Sequence, residues 1–203
     1  MSRRDKPNKG KPKDDLKVIG WVEVIVRDKH GRIKHRIGTS PEEIALLRRK
    51  KHNSHSAYGL ASSFPAKQID DLYWRKNIIT DDGLAAIIRL VFEGLTETKF
   101  GYLAIGVGTT TETASDTALE TEIARKSANV TQTTTDVTDD TALLEATFSS
   151  DDGLSGTDDV SETGIFNDAT AGIMLARKTF SPVTVNWDAG DTLTIKYYVQ
   201  MSR

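Results

Sequence analysis

Two histidines in this sequence have the spacing of a metal-binding pair. His52 and His55 stand three residues apart, so they would meet on one face of a helix. Asn53 and Ser54 between them favour a loop, and no carboxylate or third histidine lies nearby in sequence. Because a zinc site needs three or four converging ligands, we interpret the pair as loop residues and expect no metal there.

Seven aspartates in the second half of the chain offer the carboxylate oxygens that Ca²⁺ prefers. They are Asp136, Asp139, Asp140, Asp151, Asp152, Asp158 and Asp159. Their spacing does not match the calcium loop of an EF-hand. Aspartate is also a common turn former, because its carboxylate accepts hydrogen bonds from nearby backbone N–H groups. We therefore interpret these residues as turn formers, with calcium binding as the alternative.

The common motifs of catalysis and of phosphate binding are missing from the sequence. It contains no Gly-x-Ser-x-Gly, His-Glu-x-x-His or Gly-Lys-Ser/Thr. Gly106-Val107-Gly108 lacks the third glycine of a dinucleotide loop. Paired carboxylates for glycoside cleavage need only meet in space, but nothing in the sequence marks such a pair. We predict no catalytic residue and no cofactor, and interpret the protein as a non-enzyme.

Charge is distributed unevenly along the 203 residues, although the formal net charge is only −2. Residues 1–76 hold 19 Lys and Arg against 9 Asp and Glu, whereas residues 77–203 hold 8 against 20. We predict a basic flexible arm over residues 1–16 and a second cationic cluster at the end of a helix over 41–51. The candidate interaction residues are Arg3, Arg4, Lys6, Lys9, Lys11, Lys13, Arg48, Arg49, Lys50 and Lys51.

These cations suit an acidic protein surface, including the acidic half of a neighbouring subunit. They would also contact the phosphates of a nucleic acid without reading its sequence, which is the less favoured partner. A solvated tail is the remaining alternative. No apolar run approaches the roughly 20 residues that a membrane span needs, so we expect no membrane span.

Strand patterns dominate the sequence and predict an antiparallel β-sandwich. Residues 18–26 and 32–37 form a hairpin across a turn at 28–31. Six further β-rich runs recur about every ten residues between Asp, Gly, Thr and Ser turns, which is typical of a sandwich. They cover residues 129–135, 142–149, 160–166, 172–180, 183–187 and 192–201. The predicted class is mainly β with a few short helices (α+β), a jelly-roll-like sandwich with an N-terminal extension.

A helix is predicted to begin at Thr80, where Asp81 and Asp82 favour a helix N-terminus. Its apolar side chains are spaced for one face buried against the sheet: Leu84, Ile87, Ile88, Val91 and Leu95. We divide the chain into the basic arm (1–16), an extension of hairpin, helix and loop (17–73) and a β-sandwich assembly domain (74–203).

Residues 100–126 are predicted to form a strand, a turn and a further helix. The strand ends at the two glycines Gly106 and Gly108. Thr117 and Glu120 fit a capping box for a helix over 117–126. Leu119 and Ile123 would then share one face of that helix.

Five motifs over residues 74–201 resemble, in order, a group of tailed-phage virion appendage proteins. In that group N-x-I-T-x-x-G precedes G-x-G-T, D-T-x-L-x-x-E-x-x-R and E-x-G-(L/I)-F, and an L-x-x-R-x-x-F strand follows. The matching segments here are Lys76–Gly83, Tyr102–Thr110, Asp116–Arg125, Glu162–Phe166 and Leu175–Phe180. The first 73 residues fall outside the match.

The resemblance implies a β-sandwich that assembles as a homo-oligomer with other virion structural proteins, without a catalytic residue. We expect a tail, baseplate or fibre-anchoring component of the virion, assembled in the host cytoplasm. A capsid decoration or head-fibre protein is one alternative. A carbohydrate-binding host-attachment module is another, and its sugar-stacking candidates are Tyr73, Trp74, Trp187, Tyr197 and Tyr198.

Overall fold

A computed structural model describes residues 16–38, 40, 77–93 and 98–202 of the protein. Its strands are β1 (Lys17–Arg27), β2 (Ile33–Ile37), β3 (Ile78–Ile79), β4 (Tyr102–Gly106), β5 (Glu122–Ser127), β6 (Asn129–Thr133), β7 (Thr141–Phe148), β8 (Thr157–Phe166), β9 (Met174–Asn186) and β10 (Thr192–Ser202). Within these ranges, an α-helix, α1 (Asp81–Ile88), continues as a π-helical stretch (Arg89–Glu93), and a 3₁₀ turn (Ser150–Asp152) follows β7.

The strands form two antiparallel five-stranded sheets that share one hydrophobic core. The first sheet has the order β2-β1-β10-β7-β6 and the second the order β3-β9-β8-β4-β5. Side chains from the first sheet, such as Phe148 and Ile195, belong to the same buried cluster as Ile105 and Val185 of the second. The predicted class, mainly β with an antiparallel sandwich, is confirmed. Its jelly-roll character stays a prediction.

The predicted N-terminal hairpin is present and forms part of the first sheet of the sandwich. Strand β1 pairs with β10 over its whole length, from Lys17 opposite Ser202 to Arg27 opposite Thr192. The ring of Trp21 stacks on Tyr198 at 5.1 Å between centroids, on the face of the sheet turned away from the core. The hairpin assigned to the extension thus supplies two strands of the first sheet.

Several predictions concern residues outside the described ranges and stay predictions. They are the basic arm, the helix over 41–51 and the domain boundary at residues 73–74. Within the described ranges, the runs at 172–180 and 183–187 form one strand, β9, rather than two. The pairing with β8 shifts between Val160 and Glu162, so Pro182 lies at a bulge, where a missing N–H does not interrupt the ladder.

Helix α1 begins as predicted, but it buries a different face. The Thr80 hydroxyl caps the helix by accepting from the N–H of Gly83 at 3.0 Å. The buried residues are Gly83 and Ala86, and Ile87 is partly buried against the core. The other apolar side chains are exposed: Leu84 44%, Ile88 52%, Val91 61% and Phe92 76%. The prediction of a buried face is therefore wrong for Leu84, Ile88 and Val91 and correct in part for Ile87; Leu95 lies outside the described residues.

The small residues of α1 explain this orientation. A Cβ on Gly83 would lie 2.6 Å from the carbonyl oxygen of Leu175 and 2.7 Å from its Cα. The helix can therefore approach β9 closely only on its glycine and alanine face. Close backbone approach decides the orientation here, and the side chains of Leu84, Ile88 and Val91 turn outward.

Two substitutions in α1 test this orientation. Ile88→Ala should change the free energy of unfolding by less than about 0.5–1 kcal/mol, because the side chain is half exposed. Ala86→Leu should destabilise by about 1–3 kcal/mol, because Ala86 is fully buried and the added atoms overpack the contact. Urea unfolding of both variants checks the pair. If Ile88→Ala lowered the free energy of unfolding by several kcal/mol, α1 would bury the face that was expected from the sequence.

The predicted helix over 117–126 is wrong. Residues Glu122–Ser127 form strand β5, which pairs antiparallel with β4. Leu119 packs on the outer face of the second sheet, whereas Ile123 packs against the core between the sheets. The capping pattern does not produce a helix because residues 122–127 instead form backbone hydrogen bonds with the free edge of β4. The pairing of the two strands outweighs the weak helix propensity of this segment.

Candidate functional site

Several charged residues of the sequence motifs meet on the outer face of the second sheet. We call this group the Glu162–Arg177 cluster; its members are Gly108, Thr110, Asp116, Glu120, Glu162 and Arg177. Glu162 lies on β8 and Arg177 on the neighbouring β9. The other members belong to the connection between β4 and β5, residues 107–121, which crosses over this face.

Glu162 anchors both ends of that connection. Its side chain is fully buried. One carboxylate oxygen accepts from the N–H of Gly108 at 3.0 Å and of Thr121 at 2.8 Å. The other accepts from the N–H of Glu120 at 3.1 Å and from Nε of Arg177 at 3.0 Å. Every strong acceptor position of this carboxylate is therefore used inside the fold.

Arg177 links Glu162 to the middle of the connection. Its guanidinium is 3% exposed, and Nη1 donates to Oδ2 of Asp116 at 2.8 Å. Nη2 donates to the carbonyl oxygen of Thr110 at 3.3 Å. Burial alone would lower the pKa of Arg177, but the hydrogen bonds to Asp116 and Glu162 outweigh it and raise the pKa. The cluster thus holds a buried cation among carboxylates.

The two glycines after β4 have a steric role in this cluster. A Cβ on Gly108 would lie 2.5 Å from Oε1 of Glu162, and one on Gly106 would lie 2.4 Å from the carbonyl oxygen of Thr121. Both positions therefore need a residue without a side chain. The Gly-x-Gly element makes room for the protein's own carboxylate and for the crossing chain.

Glu120 occupies the backbone N–H groups that a phosphate loop would offer to a ligand. One of its carboxylate oxygens accepts from the N–H of Thr109 at 2.7 Å and of Thr110 at 2.8 Å, and from the Thr110 hydroxyl at 2.9 Å. The hydrogen bonds from Thr110 are the main cause that lowers the pKa of Glu120. The anion at this turn is thus supplied by the chain itself.

The remaining motif residues fasten the same connection to the sheet. Glu112 accepts hydrogen bonds from Lys178 and Thr179 on β9. Burial raises the pKa of Glu112, but these hydrogen bonds outweigh it and leave the pKa below its ordinary value. At the far end, the Arg125 guanidinium lies 3.5 Å above the ring of Phe166. It also donates to the carbonyl oxygen of Ala171 at 2.7 Å.

Acid should weaken this cluster. Hydrogen bonds from Thr110 lower the pKa of Glu120, and for Asp116 the bonds from Thr113 and Arg177 outweigh burial. A carboxylate with a depressed folded-state pKa stabilises the protein above its unfolded pKa, ordinarily 4.5 for Glu and 3.8 for Asp, and loses that contribution as pH falls. The free energy of unfolding should therefore fall as pH drops below about 5.

Urea unfolding at pH 7, 5 and 3 measures that decline. Asp116→Asn should make it shallower, because one of the titrating groups with a depressed pKa is removed. A variant that kept the full wild-type slope would contradict the assignment of Asp116 to the acid-sensitive group.

The aspartates considered for calcium form turns or internal bonds instead. Asp140 accepts from the N–H groups of Thr135 and Asp136 and from the amide of Gln200. Asp152 completes a capping box with Ser149. Among the residues that the structure describes, no three His, Asp or Glu side chains are grouped so as to hold a metal ion. The contacts of Asp140 and Asp152 are those of turn formers. His52 and His55 lie outside the described residues.

The candidate sugar-stacking aromatics that the structure describes are buried. Trp187 is 1%, Tyr197 0% and Tyr198 2% exposed. The indole N–H of Trp187 donates to Oδ2 of Asp158 at 2.7 Å, so its polar atom is also used internally. Trp187 and Tyr197 therefore belong to the core between the sheets, whereas Tyr198 is buried on the outer face of the first sheet, where it stacks on Trp21. Tyr73 and Trp74 lie outside the described residues.

All ten candidate interaction cations, from Arg3 to Lys51, lie outside the described residues, and their role stays a prediction. The Glu162–Arg177 cluster was not predicted from the sequence as a structural unit. A signal was present: a glutamate and an arginine each stand inside a β-rich run, and charged residues at such positions are rarely buried unless paired.

No family model, curated protein or solved structure matches this chain. The interpretation of the site therefore rests on its geometry. Among the described residues, no helix has both the length and the apolar character needed to cross a bilayer.

Proposed function

We propose that the protein is a structural component of a tailed-phage virion, a tail, baseplate or fibre-anchoring protein that assembles as a homo-oligomer. The observation that carries this proposal is the convergence of the resemblance motifs on the Glu162–Arg177 cluster. Asp116 and Glu120 come from one motif segment, Glu162 from a second and Arg177 from a third, yet the three segments bond to one another directly.

That convergence supports the resemblance because one buried cluster explains why these motif residues occur together in the sequence. Removing any one member would leave a buried charge or a backbone N–H without its partner. Residues that depend on one another in this way are expected to occur together in one folded module. The cluster's bonding groups are used within the chain, so it supports a structural role for these residues rather than a catalytic one.

The exposed row on α1 supports an assembly role independently. Four apolar side chains, Leu84, Ile88, Val91 and Phe92, are between 44% and 76% exposed on one short segment. Soluble monomers rarely expose large contiguous apolar patches, and such patches mark contact sites with other proteins. The buried aromatics, by contrast, give no support to a sugar-binding surface among the described residues.

Location in the particle tests the proposal. Antibody-gold labelling of intact particles from the phage that encodes the chain should place the label on the tail or baseplate. Label confined to the capsid would favour a decoration or head-fibre protein instead. If infected cells produce the protein but purified particles do not contain it, the structural role is overturned.

A further inference from the structure

The edges of the two sheets differ in their protection against pairing with another strand. Exposed strand edges are normally guarded by charged residues, by proline or by short length. In the described sandwich, β2 carries Lys34 and Arg36, β5 carries Glu122, Arg125 and Lys126, and β3 has only two residues. Strand β6 has none of these devices.

Strand β6 has the sequence NVTQT and lies at the edge of the first sheet. The uncharged stretch extends from Ser127 to Thr135, without proline or glycine. Three of its five residues, Val130, Thr131 and Thr133, are β-branched and favour an extended chain. All five lie at the surface, with Thr133 half-buried and the others exposed.

Half of the backbone hydrogen-bonding groups of β6 face outward. The strand pairs antiparallel with β7, from Asn129 opposite Glu145 to Thr133 opposite Thr141. In an antiparallel ladder, a strand directs alternate N–H and C=O groups to either side, so a strand with one neighbour leaves the other side free. The described hydrogen bonds between β6 and other strands run to β7 alone.

The neighbouring strand β5 does not repel a partner at this side. It precedes β6 directly and forms the edge of the second sheet, so the two strands line the same side of the sandwich. Its charges are neutralised within the chain: Glu122 pairs with Arg125 at 2.6 Å, and Lys126 with Asp152 at 2.5 Å. From Glu122 to Thr133, this side thus carries no uncompensated charge.

We propose that β6 is a strand-addition surface whose occupant is β6 of a second copy of this chain, paired antiparallel across a two-fold axis. The two first sheets would then form one continuous ten-stranded sheet. The pairing is self-complementary, because two uncharged strands of equal length meet without like charges, and Thr131 can face its own copy.

A second copy is the occupant that best fits the observed edges. Pairing β6 with the basic edge β2 of another copy would be heterologous and would leave an unguarded β6 at the end of every chain. Pairing β6 with β6 uses both unguarded edges and closes the assembly. The outer edges of the dimer are then the charged or short strands. This inference rests on the homo-oligomer part of the proposed function and names its interface.

The molar mass of the full chain in solution tests this interface. Light scattering across a concentration series should approach twice the mass of one chain, whereas Thr131→Lys should stay at the monomer mass. Lysine on an edge strand opposes strand addition, and the Thr131 side chain is exposed in the monomer. His35→Lys adds a charge to the already basic edge β2 and should still form the dimer.

Hydrogen exchange on the wild-type chain supplies a readout that does not depend on a variant. Amides of residues 129–133 should exchange at least several-fold more slowly in concentrated than in dilute protein. A wild-type monomer at every concentration would overturn both the interface and the homo-oligomer. A dimer that survives Thr131→Lys, with unchanged exchange in β6, would overturn the interface alone. The gold-labelling result is independent of both.

Discussion

Glu162→Ala is expected to lower the free energy of unfolding by about 3–5 kcal/mol. The substitution leaves Arg177, which is 3% exposed, with Asp116 as its remaining close carboxylate partner. It also removes the acceptor for the backbone N–H groups of Gly108, Glu120 and Thr121. Removing one partner of a buried ion pair is strongly destabilising because the other charge loses compensation while it stays buried, and Asp116 offsets only part of that loss.

Equilibrium urea unfolding of the full chain measures this effect, with two variants for comparison. Glu145→Ala removes a carboxylate from a much more exposed pair, with Lys196 at 3.8 Å, and should cost no more than about 1 kcal/mol. Glu162→Gln keeps the shape and one acceptor oxygen but loses the charge, so its effect should be intermediate. Equal, small losses for Glu162→Ala and Glu145→Ala would show that the cluster does not hold the connection in place.

Trp187→Ala should lower the free energy of unfolding by a similar amount, about 3–5 kcal/mol. The indole is 1% exposed in the core between the two sheets, and its removal leaves a large cavity. The lost hydrogen bond from its N–H to Asp158, 2.7 Å long, adds to the effect.

Substitution of Trp187 also tests whether this residue packs in the core or binds a sugar. Phe92→Ala is the control, because that ring is 76% exposed and its loss should change stability by less than about 0.5–1 kcal/mol. A stable Trp187→Ala variant that lost binding on a glycan array would contradict the packing role and revive the carbohydrate-binding alternative.

Features with a short sequence range could be predicted correctly. The Thr80 cap is one, since a hydroxyl and the N–H that it binds are three residues apart. The hairpin of β1 and β2 is another, because its turn and alternating residues lie within one continuous stretch. The sandwich class follows for the same reason: recurrent short strands with turns between them are visible along the chain.

The helix expected over 117–126 shows where local patterns stop being informative. Its capping residues are real turn formers, but Glu120 bonds to Thr110 rather than to a helix N-terminus. The outcome depended on the open side of β4, which is a property of the assembled sheet. The buried face of α1 likewise depended on how closely Gly83 could approach Leu175, 92 positions further along the chain.

By itself, the sequence determined the β-rich class, the start of α1, the turn-forming aspartates and the set of charged motif residues. Only the tertiary structure decided that these motifs form one buried cluster, because Asp116 and Arg177 are 61 residues apart and meet across a strand connection. It also decided that Gly106 and Gly108 accommodate the protein's own carboxylate. Local propensities act over three or four residues, whereas burial and ladder pairing act between distant segments brought together by the core.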